Sequence, residues 1–181
     1  MEELCRSGER VEVCPDTISF NIVLSAYSRS GDVGSARRAE RLLRRMDQHS
    51  LGHKHKGLFS NCKPDIISYN NVINAWGRSK ESNAASRAES ILRHIERQHS
   101  SGLSEVKPNI VTYTSTINVW AQSKEKNAAE RAEALLKRME LLHREGNEEL
   151  KPTVLTFNTG TYNQIIQKIG TPFSIHLLFS L

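Results

Sequence analysis

The sequence predicts an all-α solenoid of stacked antiparallel helical hairpins, and three observations predict it. A phrase of seven residues recurs four times. It starts at Pro15, Pro64, Pro108 and Pro152, at intervals of 49, 44 and 44 residues. Between its copies, apolar residues fall on one helical face, twice per unit. The chain of 181 residues is only 38% hydrophobic and 6% aromatic, which suits a thin core better than one thick core.

The elements follow in order. Residues 1–16 read as the end of a preceding repeat, because Met1-Glu2-Glu3-Leu4 aligns with Met139-Glu140-Leu141-Leu142. Residues 17–65 form the first repeat. Its first helix is expected over 17–30, with Phe20, Val23, Leu24 and Tyr27 at the i, i+3, i+4, i+7 positions of a buried face. Gly31-Asp32 breaks it. A second helix is expected over 36–48, rich in Ala, Leu, Arg and Glu, with the stripe Ala39, Leu42, Leu43 and Met46. Residues 66–109 and 110–153 form the second and third repeats, and agree without gaps at 21 of 44 positions. Their first helices are expected over 66–79 and 110–123, with the apolar sets Tyr69, Val72, Ile73, Trp76 and Tyr113, Ile117, Trp120. Their second helices are expected over 84–98 and 128–143, with stripes from Ala88 to Ile95 and from Ala132 to Met139. Residues 154–181 begin a further repeat and end in a divergent tail. One hairpin cannot bury both of its stripes, whereas stacked neighbours can. With a partial unit at each end, the chain is expected to be a fragment of a longer array.

Several chemistries find no support in the residues. Three cysteines with no C-x-x-C pair give neither a disulfide framework nor a zinc site. No apolar run approaches the ~18 residues of a membrane span, and residues 1–16 do not resemble a secretory signal. No phosphate loop, nucleophile elbow or H-E-x-x-H occurs. The histidines His49, His53 and His55 lack partnering cysteine or carboxylate spacing and read as a solvated linker rather than a metal site. The arginines at 37, 38, 41, 44 and 45 read as an outer face beside Glu40 and Asp47. No enzyme activity, cofactor, metal, small-molecule substrate or membrane partner is therefore expected.

Charge is segregated. Segments 17–31, 66–80 and 110–124 contain no Asp or Glu, but do contain Arg29, Arg78, Lys80 and Lys124. Stacked hairpins place all first helices on one side. That side would be polar and cationic, which suits a polyanion, since phosphate neutralisation supplies the sequence-independent part of nucleic-acid binding.

The repeats resemble the pentatricopeptide repeat family. The resemblance is carried by the Ser/Thr-Tyr/Phe-Asn/Thr opening of each first helix and by the Ala-x-x-Leu-Leu/Ile second helix, which ends in Met46 or Met139. The closing motifs Lys63-Pro64-Asp65 and Lys107-Pro108-Asn109 carry it too. It covers about residues 1–158, and the units of 44–49 residues exceed the family's usual ~35, an excess that falls outside the first helices. The tetratricopeptide repeat needs a Leu-Gly pair where this chain has Leu24, Ile73 and Ile117, which argues against that rival.

The resemblance implies a right-handed superhelical α-α solenoid that binds single-stranded RNA, one base per repeat. It implies organellar RNA processing, stability, editing or translation in a mitochondrion or plastid, alongside other RNA-processing proteins. The reading pairs it implies are Asn21 with Asp65, favouring uracil, and Asn70 with Asn109, favouring a pyrimidine. Thr114 with Thr153 has no assigned base, and Asn158 is left without a partner. Ile18, Ile67 and Val111 would clamp base planes, while Arg29, Arg78, Lys80 and Lys124 would face phosphates; Gln122 departs from the family's basic residue there. Asn, Thr and Asp are also favoured helix N-caps, so each reader has a purely structural reading as well. The alternative function is a protein-protein interaction scaffold.

Overall fold

Each repeat opens with a residue that can stop one chain direction and start a helix. In a computed structural model of the chain, which describes residues 15–50 and 62–151, these starts are the N-caps Asp16, Asp65 and Asn109. All three have extended backbone, and each side chain accepts from the amide three residues on. Asp65 with Ser68 and Asn109 with Thr112 complete reciprocal capping boxes.

Six α-helices result among the described residues: α1 (Thr17–Ser30), α2 (Ser35–Ser50), α3 (Ile66–Arg78), α4 (Ala84–Ser100), α5 (Ile110–Gln122) and α6 (Ala128–Arg144). A short 3-10 turn, Glu148–Leu150, follows. No strand occurs among these residues. Gly31 ends α1 in the left-handed region (φ 63), where a side chain would be strained. The second helices begin after short turns, as the sequence suggests, and run one to three residues longer than expected.

The first helices α1, α3 and α5 pack directly on one another, α1 on α3 and α3 on α5. Each second helix packs on its own first helix, and α2 and α4 pack also on the first helix of the following unit. The molecule is thus two layers of helices with a narrow core between them. Tyr69, Val72, Ile73 and Trp76 of α3 are buried, as are Tyr113, Ile117 and Trp120 of α5 and the stripes of α4 and α6. Val23 differs from expectation and is exposed. Its counterparts Val72 and Thr116 are buried in α3 and α5, where the preceding first helix lies alongside; among the described residues α1 has no such neighbour. Gly77 of α3 lies against the Val119 side chain of α5: a Cβ there would lie 2.8 Å from Cγ2 of Val119, a stiff β-branched side chain.

The two layers are fastened differently. The second helices are joined by ion pairs that reach across unit boundaries. Arg87 approaches Glu40 at 3.6 Å and Arg131 meets Glu89 at 2.9 Å. His94 lies 3.2 Å from Asp47, and Arg138 lies 3.1 Å from Glu96. Arg87 and Arg131 also lie over the rings of Trp76 and Trp120, at 5.7 and 5.9 Å from their centroids. Each arginine is held between an aromatic ring of its own unit and a carboxylate of the unit before.

Candidate nucleic-acid interface

The first-helix layer gathers the residues that the sequence singles out. Ile18, Ile67 and Val111 occupy the second position of α1, α3 and α5 and are 68%, 56% and 49% exposed. Exposed aliphatic side chains at one position of every unit are not needed by the core. They leave a row of apolar spots on an otherwise polar surface. Arg29, Lys80 and Lys124 are exposed at the far ends of the same helices. Arg78 is exposed too, but one of its nitrogens donates to the Ser28 carbonyl of α1 at 3.3 Å. It thus satisfies an end carbonyl of its neighbour as well as offering charge. Gln122 fills the corresponding place in α5 without a charge.

One of the expected pairs, Asn21 with Asp65, is brought together across a unit boundary. Asn21 donates its Nδ2 to both carboxylate oxygens of Asp65, at 3.0 and 3.1 Å, although 44 residues separate them. Asp65 also accepts from the Ser68 amide at 2.8 Å, so the residue that caps α3 is the one that meets Asn21. Capping α3 and meeting Asn21 are therefore compatible at this position. The second pair is arranged otherwise. Asn109 caps α5 through the Thr112 amide at 3.1 Å, while Asn70 Oδ1 is buried without a hydrogen-bond partner. Thr114 is half-buried in α5. Thr153 and Asn158 lie outside the described residues, as do His53 and His55, and the placement of the His49 side chain is not described.

Electrostatics on this layer are set by short-range bonds. The backbone amide and hydroxyl of Ser19 hold the Asp16 carboxyl below its ordinary value. The opening tyrosines point the other way, into the second-helix layer. Tyr69 donates to Asp47 at 2.6 Å and Tyr113 to Glu96 at 2.5 Å. Burial, then the adjacent carboxylate, pushes both phenols far above the usual tyrosine range. Neither tyrosine is available to stack on a base.

Three features escaped the sequence reading. Ser68 contacts the reader Asn21 as well as its own helix cap. Glu125, in the loop between α5 and α6, reaches back to cap α4, accepting from the Ala85 and Ser86 amides at 2.8 and 3.2 Å. The ion pairs of the second-helix layer were also missed; their signal is the Arg-Ala-Glu phrase at 38–40, 87–89 and 131–133. An open cleft of about 990 Å³ between α4 and α6 is lined by residues such as Arg93, Arg97 and Lys126. None of the reader, clamp or phosphate-facing residues borders it.

Residues 90–171 match the family model described as the pentatricopeptide repeat domain. No curated protein and no solved structure is significantly similar to the chain.

Proposed function

We propose that the first-helix face binds single-stranded RNA and selects bases by repeat; the match of residues 90–171 to the pentatricopeptide repeat domain supports this, since members of that family are typically RNA-binding and non-enzymatic. The observation that carries the reading is the row formed at the opening of each unit. An exposed aliphatic side chain at 18, 67 and 111 stands three positions before an amide or hydroxyl at 21, 70 and 114. An apolar spot beside a short polar group suits an unstacked base. The first takes its ring face and the second its hydrogen-bonding edge.

Asn21 with Asp65 reads uracil, and Asn70 with Asn109 reads a pyrimidine, cytosine more than uracil. Thr114 reads with Thr153. Ile18, Ile67 and Val111 clamp the bases, and Arg29, Arg78, Lys80 and Lys124 neutralise the backbone. Members of the family generally bind single-stranded RNA and are commonly organellar. The proposed role is accordingly in processing, stabilising, editing or translating transcripts of a mitochondrion or plastid, without a cofactor. No helix among the described residues is long and apolar enough to cross a membrane.

The test is selection of RNA from a random pool by the chain and by its Asn70→Thr variant. The exchange is expected to move one selected base from pyrimidine towards purine and to leave its neighbours alone. An unchanged pool overturns the assignment of Asn70. Affinity should also fall steeply with added salt, as phosphate contacts release counterions; a salt-independent affinity would instead favour a protein-binding scaffold.

A further inference from the structure

Ser68 stands at the third position of α3, and its hydroxyl reaches beyond its own capping box. Its Oγ lies 2.6 Å from Oδ1 of Asn21 in the preceding unit and 3.0 Å from Oδ1 of Asp65. A hydroxyl carries one proton, and the shorter contact is the one to Asn21. The Asn21 amide is thus gripped at both ends. A carboxylate that can only accept takes its NH2, and a hydroxyl that can donate takes its carbonyl. Turning this amide over would set its oxygen against the Asp65 carboxylate.

We propose that Ser68 is a positioning residue which, with Asp65, locks the Asn21 amide in one orientation and so fixes whether a donor or an acceptor is shown to a nucleobase. The inference rests on the reading of Asn21 as base-contacting. An amide has two N–H donors and two carbonyl lone pairs. Asp65 takes one N–H, shared between its two oxygens, and Ser68 takes one lone pair. Because Ser68 Oγ and Asp65 Oδ1 are only 3.0 Å apart, they share the edge on which the amide's N–H and lone pair lie side by side. The N–H and the lone pair that remain point away from each other, so a base meets one of them, and the lock fixes which. Uracil offers the N3 donor beside the O4 acceptor; cytosine offers the N3 acceptor beside the N4 donor. The two differ by an exchange of donor and acceptor at the same places. An amide free to turn over matches either base, whereas a locked one matches one of them when the base plane is held.

The third repeat supplies its own control. Thr112 occupies the same position in α5 and closes the same capping box on Asn109. Yet Asn70 Oδ1 has no hydrogen-bond partner, so the Thr112 hydroxyl does not grip it. Losing either hydroxyl loses a cap contact; only the loss of the Ser68 hydroxyl frees a reader.

The experiment compares the full chain with Ser68→Ala, Ser68→Thr and Thr112→Ala. Affinities are measured for paired oligoribonucleotides that carry uracil or cytosine at the position selected by the first reader pair. Ser68→Ala is expected to reduce the discrimination about fivefold, the worth of one ordinary hydrogen bond. Ser68→Thr, which keeps the hydroxyl, should retain it, and so should Thr112→Ala. Equal losses in Ser68→Ala and Thr112→Ala, or no loss in either, overturn the inference. A parent chain without base preference overturns the reading beneath it instead. A second measurement needs no RNA: exchange of the Asn21 side-chain amide protons, followed by NMR. It should be slower than for Asn70 and should accelerate in Ser68→Ala; an unchanged rate overturns the lock itself.

Discussion

The junction between the first and second repeats and the junction between the second and third are built from similar parts, and they differ more on one side than on the other. On the second-helix side most parts correspond; the exception is Glu81, which pairs with Arg37, where its counterpart Glu125 caps α4 instead. Tyr69 on Asp47 answers to Tyr113 on Glu96, and Arg87 beside Glu40 to Arg131 beside Glu89. Where residues change, they change within a chemical kind: Asp47 for Glu96, His94 for Arg138. On the first-helix side the parts do not correspond. Asn21 is held by Asp65 and Ser68, whereas Asn70 Oδ1 is buried without a hydrogen-bond partner. Arg78 gives way to Gln122. The frame is repeated on one layer while chemistry varies on the other. A repeat array that reads different bases needs such a division, because each reader can then change without loosening the stack.

The largest expected effect tests what the two junctions share. Both tyrosine hydroxyls are buried against a carboxylate, and both phenols are raised from 10.0 in the folded chain. Above about pH 10 the unfolded chain loses these protons while the folded chain keeps them. The unfolded state then binds fewer protons, so stability falls as pH rises. Below pH 10 the contribution is fully present. The slope approaches ~1.4 kcal/mol per pH unit for each tyrosine. Urea unfolding between pH 9 and 11 should show it, and Tyr69→Phe and Tyr113→Phe should each remove half. A slope that survives both substitutions contradicts the account.

A smaller effect should separate the junctions. Glu89 is buried and bonded to both Arg93 and Arg131, at 2.7 and 2.9 Å. Glu40 bonds Arg44 at 2.5 Å, but Arg87 stands 3.6 Å away. Glu89→Ala should cost about 2 kcal/mol and Glu40→Ala about 1 kcal/mol. Both figures are below the full cost of breaking a buried pair, because the arginines left behind are half-exposed and regain water. The difference is read from urea midpoints at constant slope. Equal costs would mean that the longer Arg87 contact is as good as the shorter one.

How much of this was legible in the sequence follows from what each feature depends on. The helices depend on local spacing, and Phe20, Leu24, Tyr69 and Trp76 announce their faces without knowledge of any partner. Val23 shows the limit, because its burial depends on whether another first helix lies beside it. The proposed reader pairs come only from the family resemblance. The capping of α3 by Asp65 and of α5 by Asn109 was open to plain chemistry. The ion pairs join residues more than forty positions apart, so the recurring Arg-Ala-Glu phrase shows that something repeats but not which acid meets which base. That choice is fixed by which helices are neighbours. Ser68 was hidden for the same reason: its cap is local, and its bond to Asn21 is not.

The smallest expected effect is the sharpest test of the comparison, because it converts one junction into the other. His94→Arg would place on α4 the guanidinium that Arg138 presents on α6. His94 Nε2 lies 3.2 Å from Asp47, and Arg138 Nε lies 3.1 Å from Glu96, so the two sites are of similar reach. Arginine keeps its charge at any ordinary pH and offers a second donor to the same carboxylate. Against this, the tilted contact between the His94 and Tyr69 rings, 6.1 Å between centroids, is lost. For a pair with one partner half in solvent the gain should be about 0.5 kcal/mol at pH 8. It should shrink in 1 M salt, where the Debye length falls to about 3 Å. Arg138→His should lose a similar amount at the other junction. Base preference should not move in either variant, since both lie on the frame. A stability change of the opposite sign would show that His94 is there for its ring, and a shift in the selected base would show that frame and readers are coupled after all.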